Sequence, residues 1–461
     1  MRAHEAGALH GDLGFSGPSW LRTPQDVNAL VPQLWPRTVE RTAGGEMAVG
    51  GVNIRKIAEQ HGTPAYVLDE EDFRSRCRAF KEAFGGAEVF YAGKAFIATH
   101  IVRILVEEGL SLDVCTGGEL AVALRGGMPP ERIGLHGNNK SVAELTRAVE
   151  AGVGRIIVDS FDEIDRLTTI AKQTGTRPKV MVRVTVGVEA HTHEYIATAH
   201  EDQKFGFSLS GGAAAAAVDR IITEQALELR GLHSHIGSQI FDTSGFEVSA
   251  RRLLQLQAAI HDKHGIELPE LDLGGGFGIA YTTQDTPAEP RDLATDLMRI
   301  VKQECAALQL SVPHLSIEPG RAIVGPAMFT LYEVGTVKDV DGIRTYVSVD
   351  GGMSDNIRTA LYDAAYSATL AGRASTEPPI LARVVGKHCE AGDIIVKDEF
   401  LPADVRAGDL LAVPGTGAYC RSMASNYNHV PRPPVVAVVD GESRVIVRRE
   451  TEDDLLKLDV G

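Results

Sequence analysis

Phe90-Tyr91-Ala92-Gly93-Lys94-Ala95-Phe96 ends an apolar run that begins at Val89 and breaks at Gly93-Lys94. Residues 89–91 have the length and aromatic, β-branched character of a strand. Residues 97–108 then repeat apolar side chains at helical spacing. The same unit recurs outward from this point. Short apolar runs at 111–114, 133–135, 155–158, 179–184, 228–233, 271–273 and 314–318 follow, giving eight strand candidates with 89–91. Helical patterns at 119–125, 142–151, 161–172 and 246–263 lie between them. Repeated βα units predict a parallel sheet, and eight of them predict a closed (β/α)8 TIM-like barrel.

The 461 residues divide on this reading into an N-terminal extension (1–46), a lead-in segment contributing to the β-domain (47–86), the barrel (87–324) and a C-terminal antiparallel β-domain (325–461). Runs at 329–337, 345–349, 380–385, 394–396, 410–413, 435–439 and 444–447 are the strand candidates of that last domain. Helical pattern is expected there only near 357–362 and 417–427. Residues 213–217, a run of alanines, read as part of a surface helix.

Composition excludes several classes. A net charge of −16 disfavours binding to nucleic acid. No apolar run reaches membrane-spanning length and no secretory signal is apparent, so no membrane association is expected. The five cysteines, Cys77, Cys115, Cys305, Cys389 and Cys420, form no CxxC pair and read as reduced thiols, which points to the cytoplasm.

Lys94 follows the first strand at the end where such barrels place their active sites. Small and apolar neighbours lower an ammonium's pKa and free the amine to attack an aldehyde. A lone lysine at a helix start is more often only a surface residue, although a helix N-terminus is a poor place for a bare cation. Gly274-Gly275-Gly276-Phe277-Gly278 follows the seventh strand, where backbone N–H groups can approach a phosphate. Alone, such a run is equally a structural turn. His233-Ser234-His235-Ile236-Gly237-Ser238-Gln239 ends the sixth strand. His235 can stack on a flat ring, and Gly237 and Ser238 can help hold a phosphate. The two HxH pairs, at 233–235 and 191–193, have metal-like spacing but no carboxylate or thiolate at ligand spacing, so no metal is expected. Glu318-Pro319-Gly320-Arg321 ends the eighth strand. Its carboxylate can keep a pyridine nitrogen protonated, or can simply pair with the arginine.

These strings, with His136-Gly137-Asn138-Asn139-Lys140, residues 350–358, His388-Cys389-Glu390-Ala391-Gly392-Asp393 and Gly417-Ala418-Tyr419, resemble the fold-type III pyridoxal-phosphate decarboxylases. That family joins an alanine-racemase-like barrel to a C-terminal β-domain. The resemblance covers the chain from about Met47 onward and is closest to the branch acting on meso-2,6-diaminopimelate. It implies that Lys94 carries pyridoxal 5'-phosphate, that His235 stacks on its ring and that Glu318 pairs with the ring nitrogen. Ser238, Gly276 and the backbone of Glu318, Pro319, Gly320 and Arg321 would hold the phosphate, with Tyr419 at its edge. Asp113, Glu119 and Arg183 would line the pocket. Arg321, Arg358, Tyr362, Glu390 and Tyr419 would bind substrate, and Cys389 would donate a proton from a second subunit of a homodimer. Relatives carry valine or serine at Gly93 and serine at Ala391, departures that leave the chemistry intact.

The implied reaction is decarboxylation of diaminopimelate to L-lysine. An ornithine or arginine decarboxylase shares the lysine and the barrel, but those substrates end in a cation alone. A racemase would need a second base. A non-catalytic regulatory homologue would be expected to have lost the lysine, the cysteine or the glycines, and all are present.

Overall fold

The computed structural model describes residues 17–187, 203–340 and 343–461. The chain forms two compact units, one of Arg74–Gly278 with Pro287–Ile323, the other of the segment ending at Phe73 with Ile279–Thr286 and Val324–Gly461.

The first unit is a closed parallel barrel. Its strands are β1 (Glu88–Ala92), β2 (Ser111–Val114), β3 (Ile133–Leu135), β4 (Arg155–Val158), β5 (Lys179–Thr185), β6 (Glu228–His233), β7 (Glu270–Gly275) and β8 (His314–Glu318). Each pairs in parallel with its neighbours in sequence. β8 returns to β1 through Ser316 against Glu88 and Ile317 against Val89. All eight strand candidates are present. A two-residue strand, Phe207–Ser208, adds to β5 and was not anticipated.

The connecting helices are delimited by local chemistry. Ser141 caps Val142–Ala151 in a capping box with Glu144, and Gly152 ends that helix in the left-handed region. Thr116 and Ser160 cap the helices Gly117–Gly126 and Phe161–Thr174 by accepting from the backbone N–H of Glu119 and Glu163, and each helix is followed by a left-handed glycine. The alanine run opens the helix Ala213–Glu224, whose Ala214, Ala217, Val218 and Ile221 are buried. One boundary differs from expectation. The helix after β1 is Thr99–Glu108, so Lys94 sits in a turn ahead of it and not at its N-terminus. At the opposite end of the strands Glu270 of β7 pairs with Arg155 of β4 and lies 2.8 Å from Arg230 Nε of β6.

The second unit is built on a sheet in the order Ile394–Pro402, Pro379–Val385, Arg344–Val349, Met328–Val340, Ala65–Asp69, Val435–Val439, Glu442–Val447. Leu410–Pro414 also pairs with Met328–Val340. Pairing is mainly antiparallel, with parallel contacts between Arg344–Val349 and Pro379–Val385 and between Ala65–Asp69 and Val435–Val439. Val67, Phe329, Leu331, Ala412 and Val436 form its core together with Met47, Ile54 and Ile57. Trp35, from the N-terminal stretch, packs edge-on against Phe329 at 5.9 Å. The helical pattern at 417–427 resolves instead into 3-10 turns at Arg421–Met423 and Tyr427–His429. Among the described residues no helix is long and apolar enough to cross a membrane.

Close strand approach requires glycine in the barrel wall. A Cβ at Gly231 of β6 would lie 2.1 Å from the carbonyl oxygen of Glu270 on β7. Backbone cannot yield there as a flexible side chain could. Gly231→Ala, remote from the barrel's catalytic end, is expected to lower stability by about 1–3 kcal/mol. An unchanged denaturant midpoint would show that β6 and β7 can separate freely.

Candidate active site

Residues at the C-terminal ends of the strands converge on a cavity of about 330 Å³. Its lining includes Lys94, Asp113, Cys115, His136, Arg183, His233, His235 and Glu318. Strand register explains the convergence. Ala92 stands opposite Asp113, His233 opposite both Arg183 and Asp272, and Gly275 opposite Glu318.

The turn carrying Lys94 is fixed by its own backbone. Gly93 N donates to Asp113 O at 2.9 Å, and Ala95 N donates to Ala92 O at 3.1 Å. The Tyr91 hydroxyl donates to Phe96 O at 2.7 Å. Lys140 makes a useful contrast. Its Nζ lies 2.7 Å from each of Gly137 O, Ile157 O and Glu163 Oε1, so all three of its donors are committed and it serves to anchor the loop after β3.

Glu318, at the end of β8, is 6% exposed. His233 Nε2 lies 2.9 Å from its Oε1, and His136 Nε2 lies 3.4 Å from the same oxygen. Burial acts to raise the pKa of this carboxyl, but the adjoining His136 and His233 and the hydrogen bond from His233 outweigh it and hold it well below the usual range. Asp113 and Asp272 behave oppositely. Burial first, and the Glu318 charge second, push Asp113 up strongly and Asp272 to about 7. These opposed directions favour Glu318 as the carboxyl that carries negative charge in the cluster.

His235 lies beyond the end of β6 with its ring partly open, and Gly275 N donates to its Nδ1 at 3.3 Å. Desolvation, then the charge of Lys94, keeps this imidazole neutral by lowering its pKa well below the ordinary value. Glu119 accepts from Cys115 N at 2.6 Å, and burial raises its pKa against the opposing effects of that bond and of Lys94. Arg183 lies 3.8 Å from Asp159 Oδ1, and its guanidinium stands 4.4 Å from the centre of the Phe205 ring.

A second polar group surrounds the glycine-rich turn. Arg321 donates to Ser238 Oγ at 2.9 Å. Gly276 has φ +105°, and a Cβ there would lie 2.2 Å from Gly237 O. Gly275 and Gly320 admit no Cβ either, with Glu318 O at 2.1 Å and Ala92 O at 2.7 Å respectively. The glycines are thus required by close backbone approach. The structure also supplies the carboxylate that the sequence did not reveal near His233. Ligand atoms of His136, His233 and Glu318 lie within 4.8 Å of one another. The hydrogen bond between His233 and Glu318 already engages the two nearest of those atoms. The second HxH pair, residues 191–193, lies outside the described residues.

The other expected site residues belong to the β-unit. Arg358 is 6% exposed, donates to the Tyr366 hydroxyl at 2.6 Å and stands 4.7 Å over the Tyr281 ring. Tyr362 is half-buried in the same short helix, Arg358–Tyr362. Cys389 and Glu390 are exposed. Their loop is nonetheless fixed. Asp393 accepts from Met353 N at 2.6 Å and His388 N at 2.7 Å, and His388 Nε2 lies 2.8 Å from Ser354 Oγ. Tyr419 adopts φ +63°, a strained conformation for a residue with a side chain.

Cys115, His136 and Phe205 line the cavity without having been assigned a role from the sequence. Cys115 and His136 each stand one residue beyond a barrel strand, at the same end of the barrel as Lys94, which stands two residues beyond β1.

Comparison with known proteins agrees with this geometry. The family described as pyridoxal-dependent decarboxylase, pyridoxal binding domain, matches residues 70–325. Diaminopimelate decarboxylase of Mycobacterium tuberculosis (strain ATCC 25618 / H37Rv) is 57% identical over 440 residues, covering 94% of this chain and 98% of that one. The Bacillus subtilis (strain 168) protein of the same name is 46% identical over 427 residues, covering 92% and 97%. The crystal structure of diaminopimelate decarboxylase from M. jannaschii in complex with L-lysine matches with a TM-score of 0.87 at 32% identity, covering 93% of this chain and 99% of that one. With a barrel, a lysine and a buried carboxylate arranged in this way, the chain belongs to the pyridoxal-dependent decarboxylases, in the branch formed by the diaminopimelate decarboxylases.

Proposed function

We propose that the protein decarboxylates meso-2,6-diaminopimelate to L-lysine, releasing CO2, with pyridoxal 5'-phosphate as cofactor. The observation that carries this reading is that Lys94 and Glu318, from the paired strands β1 and β8, line one cavity. The donor set suits the cofactor: an amine, a buried carboxylate, and a hydroxyl and guanidinium beside a turn with no room for Cβ atoms. When bound, pyridoxal phosphate supplies an electron sink that lets the α-carboxylate leave as CO2.

The chain's residues then have separable tasks. Lys94 Nζ would hold the cofactor at the end of β1. Glu318, as a carboxylate, keeps the proton on the ring nitrogen. His235 would offer its neutral ring to the cofactor's flat face. Ser238, Arg321 and the backbone of Gly276, Pro319 and Gly320 hold the phosphate, with Tyr419 at its edge. Asp113, Glu119 and Arg183 shape the pocket around them.

Arg321, Arg358, Tyr362 and Glu390 take the substrate's distal end. Among the described residues Arg358 has no ion-pair partner, and its buried Nε makes no hydrogen bond. A buried guanidinium in that condition calls for an anion. Glu390 suits the ammonium of the same distal group. That pairing of charges favours diaminopimelate over ornithine or arginine. Cys389 returns the proton to the α-carbon. Its thiol is exposed on its own chain, as expected for a group that serves the other active site of a two-fold homodimer. The free cysteines suit a cytoplasmic enzyme.

Purified protein with pyridoxal phosphate should release CO2 from meso-diaminopimelate and much more slowly, if at all, from ornithine or arginine. Preference for either of the latter would overturn the substrate assignment. Lys94→Ala should abolish turnover and the visible absorbance of bound cofactor. Glu318→Gln should fold but lose about 100-fold or more in kcat, the scale of a lost transition-state electrostatic contact. Near-native turnover would make Glu318 a purely structural partner.

The shared-site arrangement predicts complementation. Lys94→Ala and Cys389→Ala homodimers should each be nearly inactive. Mixed dimers each regain one intact site, so random co-refolding should restore about a quarter of wild-type activity. Verified mixed dimers without recovery would place Cys389 outside the neighbouring site.

A further inference from the structure

We propose that His233, flanked by His136, is a positioning residue of this reaction: it fixes Glu318 as the acceptor for the cofactor's ring nitrogen. The proposal rests on the decarboxylase reading for the task of Glu318 and adds the residues that make that task possible.

A carboxyl buried at the end of β8 would ordinarily take up a proton, and a protonated Glu318 could not serve as the acceptor. His233 comes from β6, two strands from β8, and brings Nε2 to 2.9 Å from Glu318 Oε1. The tautomer follows from its surroundings. His233 Nδ1 is buried with no hydrogen-bond partner, so in the neutral ring the proton belongs on Nε2 and His233 is the donor. Leaving Nδ1 bare in full burial is costly, and the structure accepts that cost to aim the donor at Glu318.

His136, one residue beyond β3, also faces Glu318. Its ring meets that of His233 edge-on, with centres 5.0 Å apart. Its Nε2 lies 3.4 Å from Glu318 Oε1 and 3.1 Å from Asp113 Oδ1, aligned for a hydrogen bond with neither. Both histidines address Oε1.

The remaining charged groups make the device necessary. Glu318 is faced by Asp113 from β2 and Asp272 from β7, and by Arg183 from β5. Lys94 and Cys115, beyond β1 and β2, and His235, beyond β6, complete the ring. Three carboxyls this close cannot all ionise. Among them, Glu318 alone receives a histidine hydrogen bond among the described residues. His233 therefore selects which carboxyl keeps the charge.

His233→Phe keeps the ring but removes the donor, and His233→Gln keeps an N–H. If the phenyl ring does not fit, His233→Leu replaces it. Infrared difference spectra of the full-length protein against its Glu318→Gln counterpart at neutral pH, with and without cofactor, separate the Glu318 carboxyl from those of Asp113 and Asp272. The phenylalanine variant should gain a protonated-carboxyl band that vanishes when Glu318→Gln is added. Wild type and His233→Gln should lack that band. In the holoenzyme, His233→Phe should lose about 10- to 100-fold in kcat, the rate equivalent of one hydrogen bond to a charged group. KM should change little, the acid limb of the kcat profile should move to higher pH, and His233→Gln should recover part of the loss. An ionised Glu318 and wild-type kcat in His233→Phe would overturn the proposal. A wild-type holoenzyme inactive on diaminopimelate would instead fail the decarboxylase reading. The infrared comparison would still decide whether His233 holds the charge on Glu318.

Discussion

Strands β1 and β8 stand at opposite ends of the barrel's sequence and pair in parallel through Glu88–Ser316 and Val89–Ile317. That closure places the turn bearing Lys94 beside the carboxylate of Glu318. Neither residue has a chemical identity without the other. Lys94 alone is a cation in a turn, and Glu318 alone is a carboxyl beside an arginine in sequence. Three further strands supply side chains that line the space around them: Asp113 from β2, Arg183 from β5 and His233 from β6. Glycines at 231, 275 and 276 let the strands and turns approach closely enough for those side chains to meet, since each would bring a Cβ within 2.2 Å of a neighbouring carbonyl oxygen.

Charge placement follows from that packing. Lys140 is a buried lysine whose cation is neutralised by Glu163 and two carbonyls, and it is thereby structural. Lys94 lines the cavity instead. The carboxyls sort in a parallel way. Asp113 and Asp272 are driven toward their neutral forms by burial and by Glu318, while Glu318 keeps its charge under two histidine rings. In the β-unit Arg358 is a buried cation set among tyrosines, with no ion-pair partner among the described residues. Each case is decided by the same balance of desolvation against specific partners.

The barrel was legible because its strands are buried on both faces and read as short apolar runs. Every one of the eight appears where the pattern put it. Helix ends were legible where Ser, Thr and Gly mark them, as at Ser141 and Gly152. The helix after β1 lacks a side-chain cap at Ala98, and its start was accordingly set too early. The pattern at 417–427 spans two short 3-10 turns, and apolar spacing does not distinguish those from an α-helix. Parallel contacts within the β-unit join strands distant in sequence, such as Ala65–Asp69 with Val435–Val439, and no local signal marks them. The partnership of His233 with Glu318 was invisible for the same reason: it is made by register between strands of the barrel. Trp35 shows the converse, a core residue in a stretch whose composition suggested an extension.

The account turns on which amine holds the cofactor. Borohydride reduction of the holoenzyme followed by peptide mass mapping measures this directly. The account predicts a single stable pyridoxyl label, on Lys94. A label on Lys140 or on any other lysine, with Lys94 unmodified, would contradict it.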